Sequence, residues 1–372
     1  ARAGAHASLP HRPTAGRAPM AAPPRTGQTA HTARGAYTLH GALDAAQVAA
    51  VVRDVRPAGW QFLNAAEGAP VGEGVPRVTV TPCLPPLTPS ALDAAVAACD
   101  ALPTPAVIQC STATRAAAVL AAALAGPRGD AARLARATGF NATAPAAQAW
   151  LTAWTESKKG EGGEAPRGVA PPFLRTLRST DGASTALSYL LADADTREAV
   201  IIDTVDAHAG RDAALVRELG LSLTFAVDTA AATGHAALAR ATGCRTLAPA
   251  GAADGRLRDG DAVVFGRHAL RVLSAPGATP ASLALVLDDE NRPGAFTGGG
   301  LLARGCGRAD SEGASAARLC RSVVGRVFTL PDQYAVWPAH EHGGLTESTV
   351  GEEKAHNPLL GGGKTDAECA AA

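Results

Sequence analysis

Aromatic side chains are scarce in this 372-residue chain: Phe, Trp and Tyr make up 4% of it, against 47% hydrophobic residues. The core must be built from Ala, Val and Leu, which bury less area apiece, so anchors such as Trp60, Trp154 and Trp337 matter disproportionately. Net charge is lacking too, because 34 basic residues balance 34 acidic ones. That balance excludes a nucleic-acid binder held by bulk electrostatic attraction. No apolar run reaches the ~20 residues of a bilayer-spanning helix, since Arg, Asp or Gly interrupts each one, and a soluble protein is expected. The seven cysteines (Cys83, Cys99, Cys110, Cys244, Cys306, Cys320 and Cys369) include no CxxC pair. Neither a disulfide framework nor a zinc ribbon fits, and a reducing compartment is the natural inference.

Acidic residues are absent from the first 43 positions, which instead carry Arg2, Arg12, Arg17, Arg25 and Arg34 among Ala, Pro, Ser, Thr and Gly. This is transit-peptide composition, so residues 1–36 are expected to be a transit-like or extended arm and the compartment a mitochondrion, with the plastid as alternative. The length predicts two domains at roughly 100–200 residues each. Over 37–156, helical stretches at 44–55, 89–102 and 115–125 alternate with strands at 60–64, 77–81 and 106–109, which implies a parallel α/β sheet; Ser90 is placed to cap the second helix. A Gly- and Pro-containing linker follows at 157–172. From 173 to 372 the strands become short and frequent, at 186–192, 199–203, 223–227, 245–248, 269–274, 283–287, 294–297 and 335–338. Helices at 209–219, 235–241 and 313–324 lie between them, the pattern of a two-sheet sandwich covered by helices.

The segment Cys110-Ser111-Thr112-Ala113-Thr114-Arg115 stands between a buried strand and a helix. Backbone N–H groups at such a junction stabilise a thiolate and an incoming anion, and the arginine holds the anion, which suits sulfur or phosphate chemistry. The loop resembles that of rhodanese-like and phosphatase-like domains, in particular the small phosphatase-like domain fused ahead of a hydrolase in the beta-lactamase hydrolase-like proteins. Ser111 replaces that loop's basic residue and Ala113 its glycine. Cys110 and Arg115 are the candidates for chemistry here, and an inert buried cysteine is the alternative.

From Phe173 onward the chain resembles the persulfide dioxygenase branch of the metallo-β-lactamase superfamily. The resemblance rests on Tyr189-Leu-Leu-Ala-Asp, Arg197-Glu-Ala-Val-Ile-Ile-Asp203, Arg304-Gly-Cys-Gly-Arg-Ala-Asp310, Trp337-Pro-Ala-His340 and Ser348-Thr-Val-Gly-Glu-Glu, in family order. It implies an αββα sandwich behind an α/β domain. It also implies a single iron held by a facial triad that maps onto Ala230, Ala278 and Gly299, none of which has a donor side chain. Ala232 and Gly234 likewise replace ligands of two-metal relatives, and only His235 and His340 of those sets remain.

These losses led to the expectation of a pseudoenzyme without metal or cofactor, serving as a structural or interaction subunit beside other proteins of an organellar complex. The alternatives are a residual sulfurtransferase or phosphatase using Cys110 and Arg115, and a metal-free thiol-binding sensor.

Overall fold

The computed structural model describes residues 27–40, 43, 45–63, 75, 77–80, 88–110, 113–125, 130–139, 145–158, 169–181, 184–231, 235–308, 313–364 and 368. Most of the expected linker, 159–168, lies outside the described residues, as do Ser111, Thr112, Ala232, Gly234 and Asp310.

The N-terminal half begins with an antiparallel pair, β1 (Gln28–Thr32) and β2 (Gly35–His40). It continues with α1 (Ala45–Val55), β3 (Gly59–Phe62), β4 (Arg77–Val80), α2 (Pro89–Asp100), β5 (Ala106–Gln109) and α3 (Thr114–Ala125), and closes with α4 (Ala131–Ala137) and α5 (Pro145–Lys158). Strands β2, β5, β3 and β4 run parallel in that order, as alternating strands and helices require. Alternation along β2 sends Tyr37 and Leu39 to one face and Thr38 and His40 to the other. The first face meets α2, α3 and α5, where buried alanines of α3 pack against Leu92, Cys99, Trp150 and Trp154. With so little aromatic surface in the chain, both indoles are also fixed by hydrogen bonds: Trp150 Nε1 donates to Thr88 O at 2.9 Å and Trp154 Nε1 to Asp93 Oδ1 at 2.7 Å. The opposite face carries α1, whose Val48 and Val51 bury Trp60 and Val107. The cap of α2 is Thr88 rather than Ser90, since the Thr88 hydroxyl accepts from Ala91 N at 3.2 Å.

The C-terminal half is an αββα sandwich. One sheet has the order β11-β10-β9-β8-β7-β6, built from β6 (Phe173–Asp181), β7 (Ser184–Ala192), β8 (Glu198–Ile202), β9 (Ser222–Val227), β10 (Arg245–Ala248) and β11 (Gly255–Arg256). The other runs β19-β18-β15-β14-β13-β12, from β12 (Ala262–Phe265), β13 (His268–Ser274), β14 (Leu283–Leu287), β15 (Gly294–Gly298), β18 (Ala335–Pro338) and β19 (Ser348–Thr349). A small hairpin, β16 (Leu301–Leu302) with β17 (Gly305–Cys306), follows β15. Between the sheets, Tyr189, Phe296 and Trp337 form a ring chain with centroid spacings of 5.1 and 4.7 Å. Helices α6 (Ala209–Glu218) and α7 (Ala236–Thr242) cover one outer face, and α8 (Ala316–Ser322) with α9 (Val350–His356) the other.

The expected arm, 1–36, requires correction at its end. Residues 28–32 form β1, which lies parallel to β12 with Ala30 opposite Ala262 and His31 opposite Val263. The two halves therefore share one eleven-stranded sheet. The segment looked irregular because Thr29 and His31 interrupt any apolar alternation, yet its backbone groups are satisfied by partners far along the chain, and Thr29 N donates to Asp261 Oδ1 at 2.9 Å. A second tie lies at α4, where the Arg133 guanidinium donates to Asp289 Oδ2 at 2.5 Å and to Arg267 O at 2.9 Å. His268 lies beside this pair, almost wholly buried.

Candidate functional site

The loops after β9, β13 and β15 converge at one end of the sandwich. Thr229 leaves β9 with its backbone N–H on Asp203 Oδ1 at 2.8 Å and its hydroxyl 2.9 Å from both carboxylate oxygens. Asp203 follows β8 at φ +52, a left-handed conformation costly for a residue with a β-carbon. Burial pushes its carboxyl up to about 7, opposed by the two bonds from Thr229 and reinforced by the charge of Asp228. Asp228 brings Oδ2 within 2.8 Å of His235 Nδ1, and both side chains are buried. Sequence reasoning had not joined Asp203, Asp228, Thr229 and His235; the signal was the Asp-Thr pair at 228–229 directly after a strand. His340, by contrast, lies on an exposed stretch past β18, where it bridges to Ala186 of β7.

Ala230, Ala278 and Gly299, the three positions of the implied iron triad, are each partly exposed. Their side chains are two methyl groups and a hydrogen, so the donor set does not fit a metal held in the family's manner. Among the described residues no group of three or more His, Cys, Asp and Glu is placed to hold an ion. Space is not the obstacle at Gly299, where a β-carbon would meet nothing within 4 Å.

The next loop is fully built. Glu353, wholly buried, accepts from Arg304 N at 3.0 Å, from the Arg304 guanidinium, from the Ser348 hydroxyl at 2.6 Å and from Asn357 Nδ2 at 2.7 Å. Asn357 Nδ2 also donates to Gly305 O at 3.0 Å. Together these bonds hold Arg304 at φ +57 and fix the turn between β16 and β17. Gly307 then crosses so close that a β-carbon on it would lie 1.9 Å from Gly299 O and 3.3 Å from Ala278 Cβ. Only glycine allows that approach. Cys306 therefore sits next to the emptied triad positions. Among the described cysteines it is the one partly exposed, whereas Cys99, Cys110, Cys244 and Cys320 are buried.

Cys110 and Arg115 are brought together at the start of α3 as expected. The Cys110 sulfur accepts from Ala116 N at 3.5 Å, its N–H donates to His40 O at 3.1 Å, and Ala113 takes φ +63, the conformation glycine would favour. The thiol is nonetheless fully covered, packed in the core beneath α2 and α3.

No protein-family model matches the chain. "Persulfide dioxygenase ETHE1, mitochondrial" of Bos taurus is 44% identical over 199 residues, covering 51% of this chain and 77% of its own. The protein of that name from Homo sapiens is 43% identical over the same extent. The crystal structure of ETHE1 from Myxococcus xanthus is similar at 35% identity, with 53% of this chain and 88% of that one covered and a TM-score of 0.48. The two mammalian relatives bear the name of an enzyme at 43–44% identity, which overturns the expectation of a pseudoenzyme drawn from the missing donors.

Proposed function

Since the chain belongs to the persulfide dioxygenase family of the metallo-β-lactamase superfamily, we propose that it is an enzyme acting on the terminal sulfur of a low-molecular-weight thiol persulfide, with Cys306 as the sulfur acceptor. The observation that supports this reading is the β16–β17 turn, clamped by Glu353 and Asn357, which presents a partly exposed thiol beside Ala278 and Gly299. The step needs no metal. The Cys306 sulfur attacks the terminal sulfur of R–S–S–H, a bond from Sγ to that sulfur forms, and the original S–S bond breaks. The leaving R–S⁻ takes up the proton that the Cys306 thiol gave, so the products are R–SH and a Cys306 persulfide.

Incubating the protein with glutathione persulfide under argon tests this. The expected result is one added sulfur per chain, mapped to Cys306 by mass spectrometry, with matching release of glutathione and loss of both in Cys306→Ala. Sulfur transfer that persists in the Cys306→Ala variant, or none in the unaltered protein, rejects the reading. Oxygen uptake in air that survives Cys306→Ala would replace it with the reaction for which the relatives are named. A mitochondrial location belongs to the same proposal, supported by the relatives' names and by the acid-free first 43 residues.

A further inference from the structure

The sheet face beneath α1 is unusually polar for a surface covered by a helix. Strand alternation places Thr29, Thr38, His40 and Gln109 on that face, whereas α1 offers Val48, Val51 and Val55. Over β3 and β5 the match is good, because Trp60 and Val107 meet the valines and Trp60 Nε1 donates to Gln109 Oε1 at 3.2 Å. Over β1 and β2 it fails, and a cavity of about 110 Å³ is left there. The Thr29 and Thr38 hydroxyls, 3.3 Å apart, and the His40 ring line its floor. Leu43, Val51 and Val55 form its roof, with Asp54 and Arg258 at the rim.

Two polar atoms on this face are buried without a partner: His40 Nε2 and Gln109 Nε2, on residues paired across β2 and β5. His40 is 4% exposed and Gln109 not at all. A buried polar atom left unpaired costs about 1–3 kcal/mol, so such atoms in a folded protein call for an explanation. At His40 the cavity supplies one. Burial pushes the imidazole down to about 4, so at neutral pH the ring is uncharged and one of its nitrogens is an acceptor.

We propose that this cavity is a binding site for a small uncharged aromatic molecule carrying one hydroxyl, its ring against Leu43, Val51 and Val55 and its hydroxyl on His40. The size fits: an apolar cavity of about 150 Å³ admits benzene, and a slightly smaller one that opens at its rim admits a single six-membered ring. The polarity fits as well. An ion would find no opposite charge on the floor, where Thr29, Thr38 and neutral His40 offer only dipoles, while a plain hydrocarbon would leave His40 unpaired. The site stands apart from Cys306 and from the sulfur chemistry proposed above.

Phenol is the probe and toluene the control, with the His40 ring nitrogens followed by NMR in the full chain. Phenol should produce a saturable shift of the His40 resonances and bind about tenfold more tightly than toluene, the value of one hydrogen bond. His40→Phe should erase that preference. Val51→Trp, which fills the cavity and keeps His40, should abolish binding of both. Unchanged His40 resonances at saturating phenol in the unaltered protein, or equal affinities for phenol and toluene, overturn the proposal whether or not either variant folds. A cavity that holds only an ordered water would give the first of these results.

Discussion

The two halves share one sheet but not one kind of core. In the C-terminal half, large apolar residues from both sheets interlock, and Tyr189, Phe296 and Trp337 fill the centre. In the N-terminal half, α3 contributes mostly alanines to one core, and the valines of α1 cover a face of Thr, His and Gln on the other. Small side chains allow close helix packing but fill less volume, so the shape of the elements must close the gaps. Where it does, as around Trp150 and Trp154, the core is tight; where it does not, a cavity with an unpaired histidine remains.

The largest expected effect tests whether so unlike halves fold as one body. Asp289→Ala strands the Arg133 guanidinium at the junction and should cost about 3–5 kcal/mol, as loss of one partner from a buried ion pair does. If the shared sheet alone couples the halves, urea unfolding of this variant stays a single transition at a lower midpoint. Two separated transitions would show that the polar tie supplies the coupling.

Acid should weaken both halves by one mechanism. Burial holds His40 and His268 near pKa 4, Arg133 adding to the effect at His268 while Asp193 and Asp289 oppose it, against 6.5 for an exposed imidazole. Below pH 6.5 the unfolded chain takes up protons first. The stability of each neutral ring is therefore present above pH 6.5 and lost as pH falls to about 4, on the order of 3 kcal/mol apiece. Thermal melts between pH 7 and 4 should show this fall. It should be reduced in His268→Phe, and a flat profile would mean the rings do not titrate in this window.

The smallest expected change in stability belongs to a variant with a large change in chemistry. Ala230→His, Ala278→His and Gly299→Asp together restore a facial triad at positions already partly exposed, so stability should shift little while iron content rises toward one per chain. Elemental analysis of variant and unaltered protein purified side by side measures it. A folded triple variant that gains no iron would mean that the surrounding backbone no longer holds the ligand geometry.

Much of the sandwich was legible in the sequence because its strands carry unbroken apolar runs, so β10, β14 and β18 fall where expected and β8 within one residue. The strand β1 was not legible. Its pairing energy comes from β2 and from β12, more than 200 positions away, and a backbone ladder leaves no mark on side-chain pattern when the residues are Gln, Thr, Ala and His. Helix α4 escaped notice for a related reason, since seven residues are too few to show a period. At the site, the vacant triad positions could be read directly because they are a matter of residue identity. The Asp228–His235 contact and the exposure of Cys306 could not, since both depend on where loops cross.

Strand β1 has one further effect. The sequence of β12, Ala-Val-Val-Phe, is buried throughout, and beyond β12 the sandwich sheet has only β1 as a neighbour. Without that strand, one edge of the sheet would be a row of unsatisfied amides and carbonyls flanked by apolar side chains, which is the template on which chains add to one another. The hairpin of the N-terminal half is thus a built-in guard against self-association.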